Sequence, residues 1–273
     1  MTSREWEKIL LDATERVKLR VSDLARSGGR GRTVGLGASG DRTIFADKEA
    51  EDEILKSLKR IDSVRVLSEE AGEAGDPRGR ILAIVDPLDG SSNFERGIPF
   101  YCTSIAMVEG DSLGDVTFGV VRDLVAGDVY VARRGKGAKK NGRPIRTSKI
   151  VAPAEAVVGV DMSRSTPEVV AGLSRLVSGA KRQIHLGANA LELCCLADGR
   201  IDAFVDLRGK MRITDFAAAY LVATEAGARV TNVDGEELEP ELDLEHRFSF
   251  VASANRILHK EMLELCKPVV EKG

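Results

Sequence analysis

The chain has 273 residues, 43% hydrophobic and 30% charged, with a formal net charge of −3. That is enough to bury a large core, as one big domain or two closely joined ones. Acidic and basic residues are interspersed and no apolar run reaches membrane-spanning length, which excludes a nucleic-acid surface, a polybasic membrane patch and a transmembrane segment.

The N-terminus MTSREWEKIL carries no signal-peptide pattern, so a cytoplasmic protein is expected. Trp6, Ile9, Leu10, Ala13, Val17, Val21 and Leu24 recur at helical spacing, with Thr2 and Glu5 fitting a capping box. The glycine-rich stretch from Ser27 to Gly40 matches neither a Walker loop nor a GxGxxG turn, and reads either as a connector or as a flap leading to Asp41. Asp47 sits where a helix N-cap belongs, before a face of Ala50, Ile54, Leu55 and Leu58.

Val64 to Leu67 is a short strand running into Ser68-Glu69-Glu70. Ile81 to Val85 is a buried strand running into Asp86-Pro-Leu-Asp89-Gly-Ser-Ser-Asn-Phe94. Two carboxylates so close at the end of a buried strand lose solvation and repel each other. A divalent cation relieves both costs, and Gly90, Ser91, Ser92 and Asn93 offer hydrogen bonds to an anion beside it. Two strands ending in acids at one edge would put Glu69, Glu70, Asp86 and Asp89 on a single rim.

Asp115 to Arg122 and Asp128 to Ala132 read as an antiparallel pair, followed by a basic hairpin corner ending in Asn141-Gly142. The second half, begun near Ala152, alternates strands and helices as the first does, which predicts mixed layers of α and β. A helix over 168–177, a strand at 201–206, a basic loop from Arg208 to Arg212 and a terminal helix from Ile257 to Val270 are expected there. Asp215 is read as the cap or start of a nearly all-apolar helix that ends before Gly227. The cysteines (Cys102, Cys194, Cys195 and Cys266) form no CxxC, and with only three histidines a zinc site is not expected; reduced thiols are. The chemistry must rest on carboxylates and hydroxyls.

Glu69-Glu70, then DPLDGSSNF at 86–94, then Asp215 before a helix ending Glu225-Ala-Gly227, resembles the inositol monophosphatase and fructose-1,6-bisphosphatase superfamily. The similarity extends through Asp41, Asp47, Gly135 to Ala138, Asn141-Gly142, Ser163 to Glu168, Gly187 to Ala190 and Ala252 to Asn255, nearly the whole chain in order. It implies an α+β fold of alternating layers, an αβαβα sandwich, usually as a homodimer with up to three Mg²⁺, which Mn²⁺ can replace; with no linker between the halves, the sequence itself is divided into tightly joined parts 1–152 and 153–273. Carried over residue by residue, Glu69, Asp86, the Leu88 carbonyl and Ser91 would hold the first ion, and Asp86, Asp89 and Asp215 the second. Glu69 with Glu70 or Asp41 would hold a weaker third. Gly90, Ser91 and Ser92 would bind phosphate, and Asp47 with Ser91 would orient the attacking water, which replaces the plain capping role for Asp47.

The mixture of motifs is similar to archaeal enzymes that act on both fructose 1,6-bisphosphate and inositol 1-phosphate; inositol phosphatases usually carry threonine at the Ser91 position. Substrate contacts are expected from Ser163, Arg164, Gly187, Ala188, Asn189 and Asp206, with Arg164, Arg208, Lys210 and Arg212 as candidates for a second phosphate. Activity on inositol phosphates alone is one alternative. A 3′-phosphoadenosine nucleotide phosphatase is another, with only Phe45, Tyr101 and Tyr220 to stack on a base. From a different class, a metal-binding regulatory partner would not need the water-orienting pair.

Overall fold

The computed structural model describes residues 3–31, 33–38 and 42–267. Thr2 of the expected capping box, Asp41, and the end of the last expected helix lie outside them. In chain order the first elements are α1 (Ser3–Arg26), β1 (Thr33–Leu36), β2 (Arg42–Ile44), α2 (Phe45–Leu58), β3 (Val64–Ser68), β4 (Gly72–Gly75), β5 (Ile81–Asp89) and α3 (Ser91–Arg96). β6 (Cys102–Val108), β7 (Val116–Asp123), β8 (Val129–Arg133), β9 (Ala138–Lys140) and β10 (Arg143–Pro144) follow. The remaining elements are β11 (Val157–Val160), α4 (Pro167–Gly172), α5 (Ser174–Gly179), β12 (Arg182–Ile184), α6 (Asn189–Ala197), β13 (Ala203–Met211), α7 (Ala217–Ala226), β14 (Arg229–Thr231), β15 (Phe248–Ser253) and α8 (Arg256–Cys266).

An eight-stranded sheet runs β10-β9-β8-β7-β6-β5-β3-β4, and a five-stranded sheet runs β12-β11-β13-β15-β14. The apolar face of α1 read from the sequence, Trp6 to Leu24, is buried with α2 on one side of the large sheet. α6 and α7 fill the space between the two sheets, and α4, α5 and α8 cover the outer face of the small one. The result is the expected α+β sandwich. α7 is apolar nearly all round because it lies in the middle layer, sheet on either side. Its approach to β7 needs Gly119, where an added Cβ would lie 2.7 Å from the Ala218 carbonyl oxygen.

Two features of β3 and β5 position the acids. The strands are parallel, Ser68 is paired with Val85, and the Glu69 N–H reaches the Val85 carbonyl at 3.2 Å. Glu69 and Asp86 therefore leave the sheet at the same rim. β5 continues to Asp89 rather than stopping at Val85, and pairs with β6 through Asp86–Ser104 and Asp89–Cys102. Three steps on β5 thus match two on β6. Side chains three apart on a regular strand point to opposite faces; the bulge at Pro87-Leu88 returns Asp86 and Asp89 to one face, and Pro87 suits a position that gives no ladder hydrogen bond.

Several sequence expectations change. β1 and β2 form a short antiparallel pair within the glycine-rich stretch. The helix expected at 168–177 is broken in two at Leu173. The segment Arg208 to Arg212 is not a free loop: β13 runs to Met211, which pairs with Phe248 after an irregularity following Asp206. Asp215 does not cap α7, whose N-cap is Phe216. Asp47 is not an N-cap either; it lies in the first turn of α2 and accepts the N–H of the N-cap residue Ile44 at 2.7 Å.

Candidate active site

Three elements converge on one point. Glu69 follows β3, Asp86 lies in β5, and Asp215 follows β13; each is buried, and their ligand oxygens lie within 4.8 Å of one another. Asp86 Oδ1 accepts the Leu88 N–H at 3.0 Å, while Oδ2 is buried with no hydrogen-bond partner among the described residues. Asp89 is anchored from across the middle layer: its Oδ2 accepts the Ala190 N–H at 2.7 Å. That amide lies in the first turn of α6, where the helix dipole favours negative charge.

Arg212 enters this cluster. Its Nη1 lies 2.5 Å from Glu69 Oε1 and its Nε 3.2 Å from Asp215 Oδ1, so it is a countercharge to the carboxylates themselves. Asp215 also accepts the Thr214 hydroxyl at 2.9 Å. Glu70 is half-buried beside the flap-like β1–β2 pair and accepts the Thr43 hydroxyl.

Burial, reinforced by mutual repulsion, pushes the carboxyls of Glu69 and Asp86 well above the usual carboxylate range. Burial, with the Asp215 charge behind it, raises Asp89 to about 8. Asp47, 3% exposed, is likewise pushed up to about 8 by burial, then by the charges of Glu70, Glu95 and Glu51, against the hydrogen bond from Ile44. So many buried acids facing one another are a strong demand for positive charge. An oxygen-only donor set, one of its oxygens left without a partner, fits a hard divalent cation.

Gly90 has φ +88°, and an added Cβ would come within 3.1 Å of both Ala188 Cβ and the Phe100 carbonyl oxygen. The left-handed turn ends β5 and starts α3, leaving Ser91 and Ser92 at the mouth of the site. Beside them is a cavity of about 450 Å³ lined by residues including Ser92, Asn93, Ser163, Gly187 and Asn189. Ala188 is buried as the N-cap of α6. Arg164 has φ +56°, and its carbonyl accepts Lys210 Nζ at 2.7 Å. Asp206 is fully buried, and Arg208 takes both its oxygens, at 2.8 and 2.6 Å.

Two groups escaped the sequence reading. Glu51, buried on α2, accepts the Ser68 hydroxyl at 2.6 Å and the Ala71 N–H at 2.8 Å, and so holds both ends of the Glu69-Glu70 turn. Its spacing four residues after Asp47, on the same helical face, was the available signal. Asp161 and His185 also line the cavity; neither belongs to a motif, and nothing local marked them.

Layers of helix and sheet enclosing an oxygen-donor centre at the ends of β3, β5 and β13 define a metal-dependent sandwich fold. Residues 7–271 match the inositol monophosphatase family. The chain is 36% identical to a fructose-1,6-bisphosphatase/inositol-1-monophosphatase of Methanothermobacter thermautotrophicus, over 95% of each chain. It is 39% identical to a protein of the same name from Archaeoglobus fulgidus, over 87% of this chain and 89% of that one. A solved structure from Pyrococcus horikoshii, described as similar to inositol-1 monophosphatase, superposes with a TM-score of 0.82 at 30% identity, covering 96% of this chain and 98% of that one. The chain belongs to the inositol monophosphatase family.

Proposed function

We propose that the protein is a Mg²⁺-dependent phosphomonoesterase that hydrolyses the 1-phosphate of fructose 1,6-bisphosphate and inositol 1-phosphate. The observation that carries this is the convergence of Glu69, Asp86 and Asp215, with Asp86 Oδ2 lacking a hydrogen-bond partner among the described residues. The names of the archaeal relatives support the substrate pair.

Glu69, Asp86, Asp89, Asp215 and the Leu88 carbonyl would hold the cations, with Glu70 and Asp41 at the loosest position. Bound there, Mg²⁺ or Mn²⁺ offsets the charge of the phosphate ester, whose dianion otherwise repels its attacker. The backbone N–H groups of Gly90, Ser91 and Ser92 hold phosphoryl oxygens at the start of α3. Asp47 and Ser91 orient the water in line with the leaving oxygen. Ser163, Arg164, Gly187, Ala188 and Asn189 face the sugar side, with Lys210 at its edge. The two parts 1–152 and 153–273, a homodimeric assembly and a cytoplasmic location belong to the same proposal; no helix among the described residues is long and apolar enough to cross a membrane.

Phosphate release from both substrates, with Mg²⁺ and with chelator, tests the proposal. Chelator-sensitive turnover of both is expected. Activity on one alone narrows the reading, and activity on neither overturns it.

A further inference from the structure

The cavity beside the carboxylate centre has a charged wall that the motifs do not explain. His185 stands between two acids: Nδ1 is 3.4 Å from Glu192 Oε1, and Nε2 is 3.4 Å from Asp161 Oδ1. Glu192 and Asp161 are both buried, whereas the His185 side chain is 31% exposed and lines the cavity. Glu192 Oε1 already accepts the N–H groups of Leu186 and Gly187, at 2.9 and 3.0 Å. Asp161 accepts the Ser163 N–H at 2.8 Å and pairs with Arg208 at 2.5 Å. Both acids are therefore fixed, and they fix the ring between them.

His185 Nε2 is also 3.2 Å from Ser163 Oγ. On the same wall Asn189 lines the cavity, and its side-chain oxygen is buried with no hydrogen-bond partner among the described residues. The next residue, Ala190, holds Asp89 through its amide, so this wall is mechanically continuous with the carboxylate centre.

We propose that His185, clamped between Asp161 and Glu192, is a positioning residue that aims the Ser163 hydroxyl into the cavity, where with Asn189 it reads the hydroxyl groups of a polyol phosphate. An imidazolium donates from both nitrogens. A Ser163 oxygen that accepts from Nε2 must turn its own proton elsewhere, and the open side is the cavity. Ser163 is then a donor and Asn189 Oδ1 an acceptor, the complement of adjacent ring hydroxyls. The groups facing the ring are Glu192 from α6, Asp161 after β11 and Arg208 from β13. The Glu192 hydrogen bond, opposed by burial, and the Asp161 charge hold His185 above its ordinary range, with Arg208 opposing. Once the proton is lost, a neutral Nε2 can accept the Ser163 proton and withdraw the donor from the cavity. Binding of a hydroxylated substrate weakens as pH rises through this titration.

The inference rests on the polyol phosphatase reading. The test measures KM and kcat from pH 6 to 9 for inositol 1-phosphate and for p-nitrophenyl phosphate, which has the same ester phosphate but no hydroxyl ring. Toward the alkaline end of the range both esters are dianions, and there the ratio of the two KM values is free of the phosphate titration. In the wild type this ratio should rise with pH by about five- to tenfold, the effect of one hydrogen bond. His185→Ala should show the high ratio at every pH with kcat within about twofold, and His185→Arg, a permanent donor, should keep it low. A wild-type ratio flat with pH overturns the inference, as does a His185→Ala variant that raises both KM values equally. If the wild type hydrolyses p-nitrophenyl phosphate but neither sugar phosphate, the substrate reading itself fails and takes this inference with it.

Discussion

Replacing Asp86 by asparagine separates the two things this carboxylate does. It is 1% exposed, with Oδ1 held by the Leu88 N–H and Oδ2, beside Glu69 and Asp215, without a hydrogen-bond partner among the described residues. The amide keeps the acceptor at Oδ1 and puts an N–H donor where Oδ2 was, facing oxygens that now accept instead of repel. In chelator, Asp86→Asn should therefore raise stability by about 1–3 kcal/mol, the usual penalty of an unsatisfied buried polar group. At roughly 2–4 °C per kcal/mol for a chain of this size, that is a gain of several degrees in Tm. The wild type should gain about 2.7 kcal/mol from Mg²⁺ at a hundred times its Kd, and the variant should gain almost nothing while losing turnover at any Mg²⁺ concentration. Thermal unfolding of both proteins, with chelator and with Mg²⁺, measures all four states. A variant less stable in chelator that still responds to Mg²⁺ would show Asp86 to be an ordinary structural acid and refute the cation site.

Three more perturbations probe the surrounding structure. Gly90→Ala forces an L side chain into φ +88° with contacts at 3.1 Å; it should cost about 1–3 kcal/mol in chemical denaturation and depress kcat by shifting the start of α3. Glu51→Ala strands the buried Ser68 hydroxyl, costing about 1–3 kcal/mol, and by loosening Glu69-Glu70 it should weaken Mg²⁺ binding measured by titration calorimetry; unchanged affinity would free Glu51 of that role. His259 is buried against Thr231 and Ser253, and burial, with Arg229 adding to it, lowers it from 6.5 to about 4. The unfolded chain then binds the proton first, so the stability contributed by His259 is intact above pH 6.5 and lost as pH falls toward 4. Urea midpoints at pH 7 and 4.5 should fall further for the wild type than for His259→Gln.

The acid cluster and the helix faces were readable along the chain because they are local facts. Trp6 to Leu24 repeats at helical spacing, and that face is the buried one. Glu69 and Asp86 each follow an apolar strand, and parallel pairing in register delivers them to one rim. The errors fell where tertiary contacts outweighed local signals. Asp47 and Asp215 looked like caps because a carboxylate near a helix start has a local explanation that hides any distant one. Arg212, expected to offer charge to a second phosphate, also pairs with Glu69 and Asp215, a contact that no local pattern shows.

What the sequence by itself determined is the inventory: a set of acidic oxygen donors, a glycine turn beside hydroxyls and amides, and alternating elements long enough to stack in layers. Tertiary structure alone decided how these parts face one another. The bulge at Pro87-Leu88 turns two acids to one side, α6 reaches across to hold Asp89, and the second sheet carries Arg212 and Asp215 into a centre begun by the first. His185 shows the difference most plainly. A lone histidine has no meaning in the chain, because the two buried carboxylates that hold its ring lie far apart in sequence, and only folding puts them at its two nitrogens.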